Sequence, residues 1–118
     1  MENKRIWFTS VNIAEYLPAP IVPPKSGQVV VKIAVSTISS GTERANLTGD
    51  VNINSTKPAL ETPKFPRCGG YSSAGTVVQV GEGVTDYVAG DRVAVFWSHH
   101  ARYVTIGVND LLKLPDEV

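Results

Sequence analysis

The chain has 118 residues, enough for one domain with a real core and no covalent staples. Apolar residues make up 42% and charged residues 19%, and eleven basic side chains balance eleven acidic ones. No bulk field therefore draws in nucleic acid or an anionic membrane, and a single cysteine, Cys68, excludes an internal disulfide or a multi-cysteine zinc site. The amino-terminal Met1-Glu2-Asn3-Lys4-Arg5 is not followed by a signal-type apolar core, and no stretch approaches the roughly 18 apolar residues that span a bilayer. A cytoplasmic location is expected.

Lys4 to Val11 reads as a first strand, with Ile6 and Phe8 on one face and Trp7 and Val11 on the other. Asn12 to Ser26 carries Pro18, Pro20, Pro23 and Pro24, which lack the N–H of a central strand, so a connecting segment or at most an edge is expected. From Gln28 to Ser36 the alternation is clean. Val29, Val31, Ile33 and Val35 point one way and Gln28, Lys32 and Ser36 the other, as in a half-buried strand.

That strand delivers the chain into Ser40–Gly49, which has the start, body and stop of one short helix. Ser40 and Glu43 have the S-x-x-E spacing of a capping box, and Gly49 sits where a left-handed stop is usually made. A helix start flanked by hydroxyls at the end of a strand suits a polar ligand, but a plain capped corner is the simpler reading of the local pattern. Asp50 to Arg67 is a long polar loop with Pro58, Pro63 and Pro66, either a surface excursion or a substrate-side loop.

Gly69, Gly70 and Gly75 precede a strand at Thr76–Val80 and suggest close backbone approach or unusual dihedrals. They enter a strand instead of opening a helix, which excludes a nucleotide-binding fingerprint. After turns at Gly81-Glu82-Gly83 and Ala89-Gly90-Asp91, Arg92–Trp97 reads as a strand with Val93, Val95 and Trp97 on one face. Ser98–Ala101 turns it into Arg102–Ile106, and Leu111, Leu112 and Leu114 form an ordered end. Five or six short strands with one short helix predict a mainly β barrel or sandwich.

Several phrases together carry a resemblance: the strand Gly27 to Val35; Ser40-Gly41-Thr42-Glu43; Gly70-x-x-x-Ala74-Gly75-x-Val77-Val78-x-Val80-Gly81; Gly90-Asp91-Arg92-Val93; Tyr103-Val104; and Leu114-Pro115-Asp116. In order and spacing the chain resembles the amino-terminal, GroES-like domain of the medium-chain alcohol dehydrogenase and quinone reductase superfamily. The resemblance implies a mainly β, partly open GroES-like barrel with one or two short helices over residues 1–118. It also implies that a Rossmann domain, absent from this chain, binds NAD(P)(H), with the active site in the cleft between the two.

The departures are informative. Zinc-dependent members have a cysteine where this chain has Ser40 and Gly-His-Glu where it has Gly70-Tyr71-Ser72, and hydroxyls are poor zinc ligands. A relay histidine of some members falls at Ala45, and the structural-zinc lobe is missing between Val95 and Tyr103. No metal is expected. Ser40-Gly41-Thr42-Glu43-Arg44 and Gly70-Tyr71 look most like a subgroup that includes bacteriochlorophyllide-type dehydrogenases, although Ser72 departs from its glutamate.

Without zinc, the substrate oxygen must be polarised by hydroxyls or backbone N–H groups. The resemblance assigns that to Thr42 first, with Ser40 as a second donor, and places Gly41 and Thr42 beside the nicotinamide; capping alone would also account for these hydroxyls. Tyr71 is a candidate proton donor or a packed ring. His99 and Trp97 come from the region that lines the family's substrate pocket. For His99 and its neighbour His100 a polar turn is the simpler reading, and for Trp97 the core is. Cys68 has no visible activating partner.

The implied function is the substrate-binding domain of a zinc-independent NAD(P)-dependent oxidoreductase acting on a carbonyl, alcohol or activated alkene, inactive as the isolated chain. Its expected partners are a small-molecule substrate and its own Rossmann domain, with no nucleic acid and no membrane. An exposed domain-facing surface would also allow a homodimer. The rival is a stand-alone GroES-like interaction or co-chaperonin-like module, with the Asp50–Arg67 loop as its arm.

Overall fold

The computed structural model of the protein describes residues 2–49, 65 and 67–118. In chain order its elements are β1 (Lys4–Ser10), β2 (Ile13–Pro18), β3 (Gln28–Ser36), α1 (Ser40–Thr48), β4 (Arg67–Cys68), β5 (Ser72–Val80), β6 (Arg92–Phe96), β7 (Tyr103–Gly107), a single 3-10 turn (Val108–Asp110) and β8 (Leu111–Lys113). The expected mainly β architecture is present as two sheets that do not close into one barrel. Most of the expected Asp50–Arg67 loop lies outside the described residues.

The larger sheet has the order β7-β3-β5-β6-β8, every neighbour antiparallel. Its core is built from β-branched side chains, which suit a pleated, packed surface. Val29, Val31, Val77, Val93 and Val95 are sealed from water and join Val104 and Leu111 in one cluster. Each such burial is worth about 1.5–3 kcal/mol.

The smaller sheet, β2-β1-β4, carries β2 as its edge. Every residue of β2 is exposed, in keeping with an edge strand beside a proline-rich segment. The stretch 100–102 ties the two sheets together. Ile6 N donates to His100 O (2.9 Å) and Arg102 N to Lys4 O (3.0 Å) on one side, while Ile33 N donates to Arg102 O (2.7 Å) on the other.

Three expectations are corrected. β3 is not half-buried by simple alternation: Val30 is as inaccessible as Val29 and Val31, whereas Val35 is 62% exposed. The strand pairs on both edges, and register shifts at Val30/Val31 and Ile33/Val35 reset which face points inward. β5 starts at Ser72 instead of Thr76, because Ser72–Thr76 pair with Arg92–Phe96 despite their small side chains. Trp97 is neither in the strand nor in the core; it is 70% exposed with φ of 60°.

Candidate functional site

The end of β3 feeds α1 through Thr37–Ser39, and Thr37 N donates to Ser72 O at 2.8 Å. This bond fixes the corner beside the first residue of β5. Ser39, not Ser40, is the N-cap, extended at φ −96° and ψ 103°, and no side chain caps the helix. The capping box is therefore not made: Ser40 is already helical, and the Glu43 carboxylate is engaged elsewhere. The stop is as expected, with Gly49 left-handed at φ 84° and its N–H donating to Ala45 O at 3.1 Å.

No residue of α1 is buried. The helix is instead held by a polar contact from its first turn. Glu43 Oε1 lies 2.7 Å from His100 Nε2, and His100 Nδ1 lies 2.6 Å from Ser36 Oγ. The carboxylate must accept, so Nε2 carries a hydrogen; in the neutral ring Nδ1 then accepts from the Ser36 hydroxyl. His100 is only 8% exposed, and its backbone is also fixed, with His100 N donating to Gly69 O at 3.2 Å.

The glycine pair beneath the helix has a steric reason. A Cβ at Gly69 would collide with Glu43 Oε2 and with the Phe8 ring. The expected close approach of backbone is present at Gly70, where a Cβ would collide with Ser98 O and the His99 backbone, whereas Gly69 admits side chains, the Glu43 carboxylate among them.

The residues singled out from the sequence are distributed as follows. Gly41 is exposed on the first turn, with open space where a side chain would stand, and Thr42 is half-buried, its Oγ1 3.5 Å from Ser39 Oγ. Tyr71 is 46% exposed; its ring packs edge-on against Trp97 at 5.1 Å between centroids, instead of against the sheet. Trp97 N donates to Tyr71 O at 2.7 Å, so the two aromatics are tied through the backbone as well.

His99 is exposed, but its ring is partly shielded. That desolvation holds its pKa below the ordinary imidazole value; the Arg5 guanidinium and His100 add to the depression, and a backbone hydrogen bond at Gly69 opposes it. Burial raises the Cys68 pKa, only partly countered by a hydrogen bond from Arg5 and its charge, which leaves the thiol unactivated as expected.

The sequence reading missed His100, Ser36 and the engagement of Glu43. The one available signal was that adjacent histidines face opposite ways, so if one is exposed the other points inward.

Two recesses flank the imidazole. An open pocket of about 380 Å³ is lined by Ile6, Tyr16, Ile33, Ser36, His100 and Arg102 among others. A smaller one of about 240 Å³, between α1 and the small sheet, is walled by Ile6, Phe8, Ala14 and Ile38 and reaches Glu43 and His100. Among the described residues, no three His, Cys, Asp or Glu side chains converge as a metal site would require, and no helix is long and apolar enough to cross a membrane.

Residues 25–116 match the family model described as the alcohol dehydrogenase GroES-like domain. The chain is 37% identical over 81 residues to an S-(hydroxymethyl)glutathione dehydrogenase of Photobacterium damsela subsp. piscicida, covering 67% of this chain and 19% of that protein. It is 38% identical over 78 residues to an alcohol dehydrogenase of Schizosaccharomyces pombe, covering 66% and 20%. The chain thus spans about a fifth of the length of these curated relatives. Among solved structures, a quinone oxidoreductase of Pseudomonas syringae pv. Tomato superposes with a TM-score of 0.71 at 27% identity, over 100% of this chain and 35% of that one. The quinone oxidoreductase of Escherichia coli, complexed with NADPH, has a TM-score of 0.72 at 21% identity over 98% and 34%, a likeness of fold.

Proposed function

Because this chain belongs to the alcohol dehydrogenase GroES-like domain family, we propose that it is the substrate-side, catalytic domain of an NAD(P)-dependent oxidoreductase acting on a carbonyl, alcohol or activated alkene. The observation that carries this reading is the span of the family match, which runs through both the Ser40–Thr48 corner and the Gly69–Tyr71 turn. A Rossmann domain of the same protein would bind most of the cofactor.

The residues present fit one edge of a nicotinamide. Gly41 leaves open space over the first turn of α1, and Thr42 and Ser40 stand on that same turn. When bound, the nicotinamide supplies or accepts the hydride. The chain's own part is to polarise the substrate oxygen with the Thr42 and Ser40 hydroxyls and to offer the Tyr71 hydroxyl as a proton donor. Exposed Trp97, edge-on to Tyr71, gives an apolar wall for the substrate, with His99 on the next turn of chain.

Zinc independence is part of the proposal. It is supported by the donor chemistry, since Ser40 and Tyr71 stand where the resemblance implies thiolate and imidazole in zinc-dependent members. The pairing of Ser40–Arg44 with Gly70-Tyr71 supports a place near bacteriochlorophyllide-type dehydrogenases.

In a protein that joins this chain to its dinucleotide-binding unit, Thr42→Ala is expected to lower kcat about 10²–10³-fold without changing thermal stability. Unchanged kcat would remove Thr42 from the chemistry. Elemental analysis is expected to find no stoichiometric zinc, and one tightly held zinc per chain would overturn the metal-free reading. The isolated 118 residues are expected not to turn over NAD(P)H with aldehydes or quinones.

A further inference from the structure

We propose that His100 is a positioning residue that latches the catalytic corner to the body of the fold, with Ser36 and Glu43 as its two anchors. The effect on catalysis rests on the corner being the site; the latch itself does not.

No residue of the helix that carries Gly41 and Thr42 is fully buried, although Ala45 and Leu47 are half-buried. Among the described residues, its C-terminal end is held by one backbone bond from outside the helix, Asn12 N to Leu47 O at 2.8 Å. Its first turn is held by Glu43, whose carboxylate lies over Gly69 and meets the buried imidazole at 2.7 Å. The imidazole is itself anchored. Its backbone is bonded to β1 through Ile6 and to the glycine turn through Gly69, and its other nitrogen is bonded to Ser36 at the end of β3.

Three elements therefore fix one ring, and the ring fixes one helix. Glu43 directly follows Thr42, so the position of the Thr42 hydroxyl follows from the latch. Ser36 adds a second property. Its hydroxyl can donate to a neutral ring or accept from a doubly protonated one, so both bonds survive either form of the imidazole.

The test is hydrogen exchange of the 118-residue chain, read at two places: the α1 amides of Glu43 to Gly49 and the β3 amides of Val29 to Val31. Glu43→Ala is expected to speed exchange in α1 by about tenfold or more, the scale of a lost charge-assisted hydrogen bond, and to leave β3 unchanged. Glu43→Gln, which keeps an acceptor oxygen, is expected to restore most of the protection. His100→Phe, which keeps a ring but no polar atom, should match Glu43→Ala; if it fails to fold, the two Glu43 variants decide alone. Unchanged α1 exchange in Glu43→Ala would overturn the latch. So would an equal rise in β3, which would make the contact a general part of the core. Neither result bears on whether the protein is an oxidoreductase, which the Thr42→Ala kinetics address separately.

Discussion

The middle of the large sheet and the corner beside it are only a few residues apart along β3, yet they are held by opposite means. Val29, Val30 and Val31 are wholly inaccessible, whereas the same strand ends in Val35, 62% exposed, and Ser36, which bonds a histidine. The sheet is stabilised by apolar area, which is non-directional and tolerant of small shifts. The corner is stabilised by a few directed hydrogen bonds, which fix geometry but contribute little net free energy each. Placing the candidate chemistry where bonding is directional lets the core vary without moving Thr42.

The largest effect that separates the two regions is expected from Val31→Ala or Val95→Ala. Each empties a fully enclosed site and should cost about 2–3 kcal/mol, seen as a lower urea midpoint with an unchanged slope. The corner should keep its native amide shifts at temperatures where the variants remain folded. Loss of α1 signals before the sheet melts would show that the corner depends on the core more closely than this comparison allows.

A smaller effect belongs to Gly49→Ala. The residue sits at φ 84°, so a side chain there costs about 1 kcal/mol, and only the end of α1 should feel it. Local exchange near Thr48 and Gly49 should rise severalfold while the global midpoint moves little. A global shift as large as that of Val31→Ala would erase the distinction between the regions.

The same contrast explains what could be read in the sequence. β3 was legible in its bounds because Val29, Val31, Ile33 and Val35 alternate between clear turn signals, and Gly49 was legible because only a left-handed stop needs it there. The first half of β5 was not, since Ser72, Ser73, Ala74 and Gly75 have no strand preference and become a strand through pairing with β3 and β6. Trp97 read as core because large aromatics usually are, but the chain turns outward at its positive φ. The capping box failed for a tertiary reason: Glu43 has a buried partner 57 residues away, and nothing local announces it.

The smallest predicted effect concerns His99, the exposed neighbour of the latch. Its folded-state pKa is depressed, chiefly by desolvation and then by Arg5, so the folded chain binds a proton less readily than the unfolded chain does. Above the ordinary imidazole value of 6.5 both states are neutral there and the residue has no effect on stability. As pH falls below 6.5 the unfolded state takes up the proton first, and stability declines until pH has passed through the lower folded value. His99→Asn should flatten that decline slightly, read as the difference in urea midpoint between pH 8 and pH 5. Because the residue is exposed, water screens the effect, and the change should be smaller than that of either Val31→Ala or Gly49→Ala. A steeper decline in the variant would mean that His99 is better protonated in the fold than in the unfolded chain, which would contradict a shielded neutral ring.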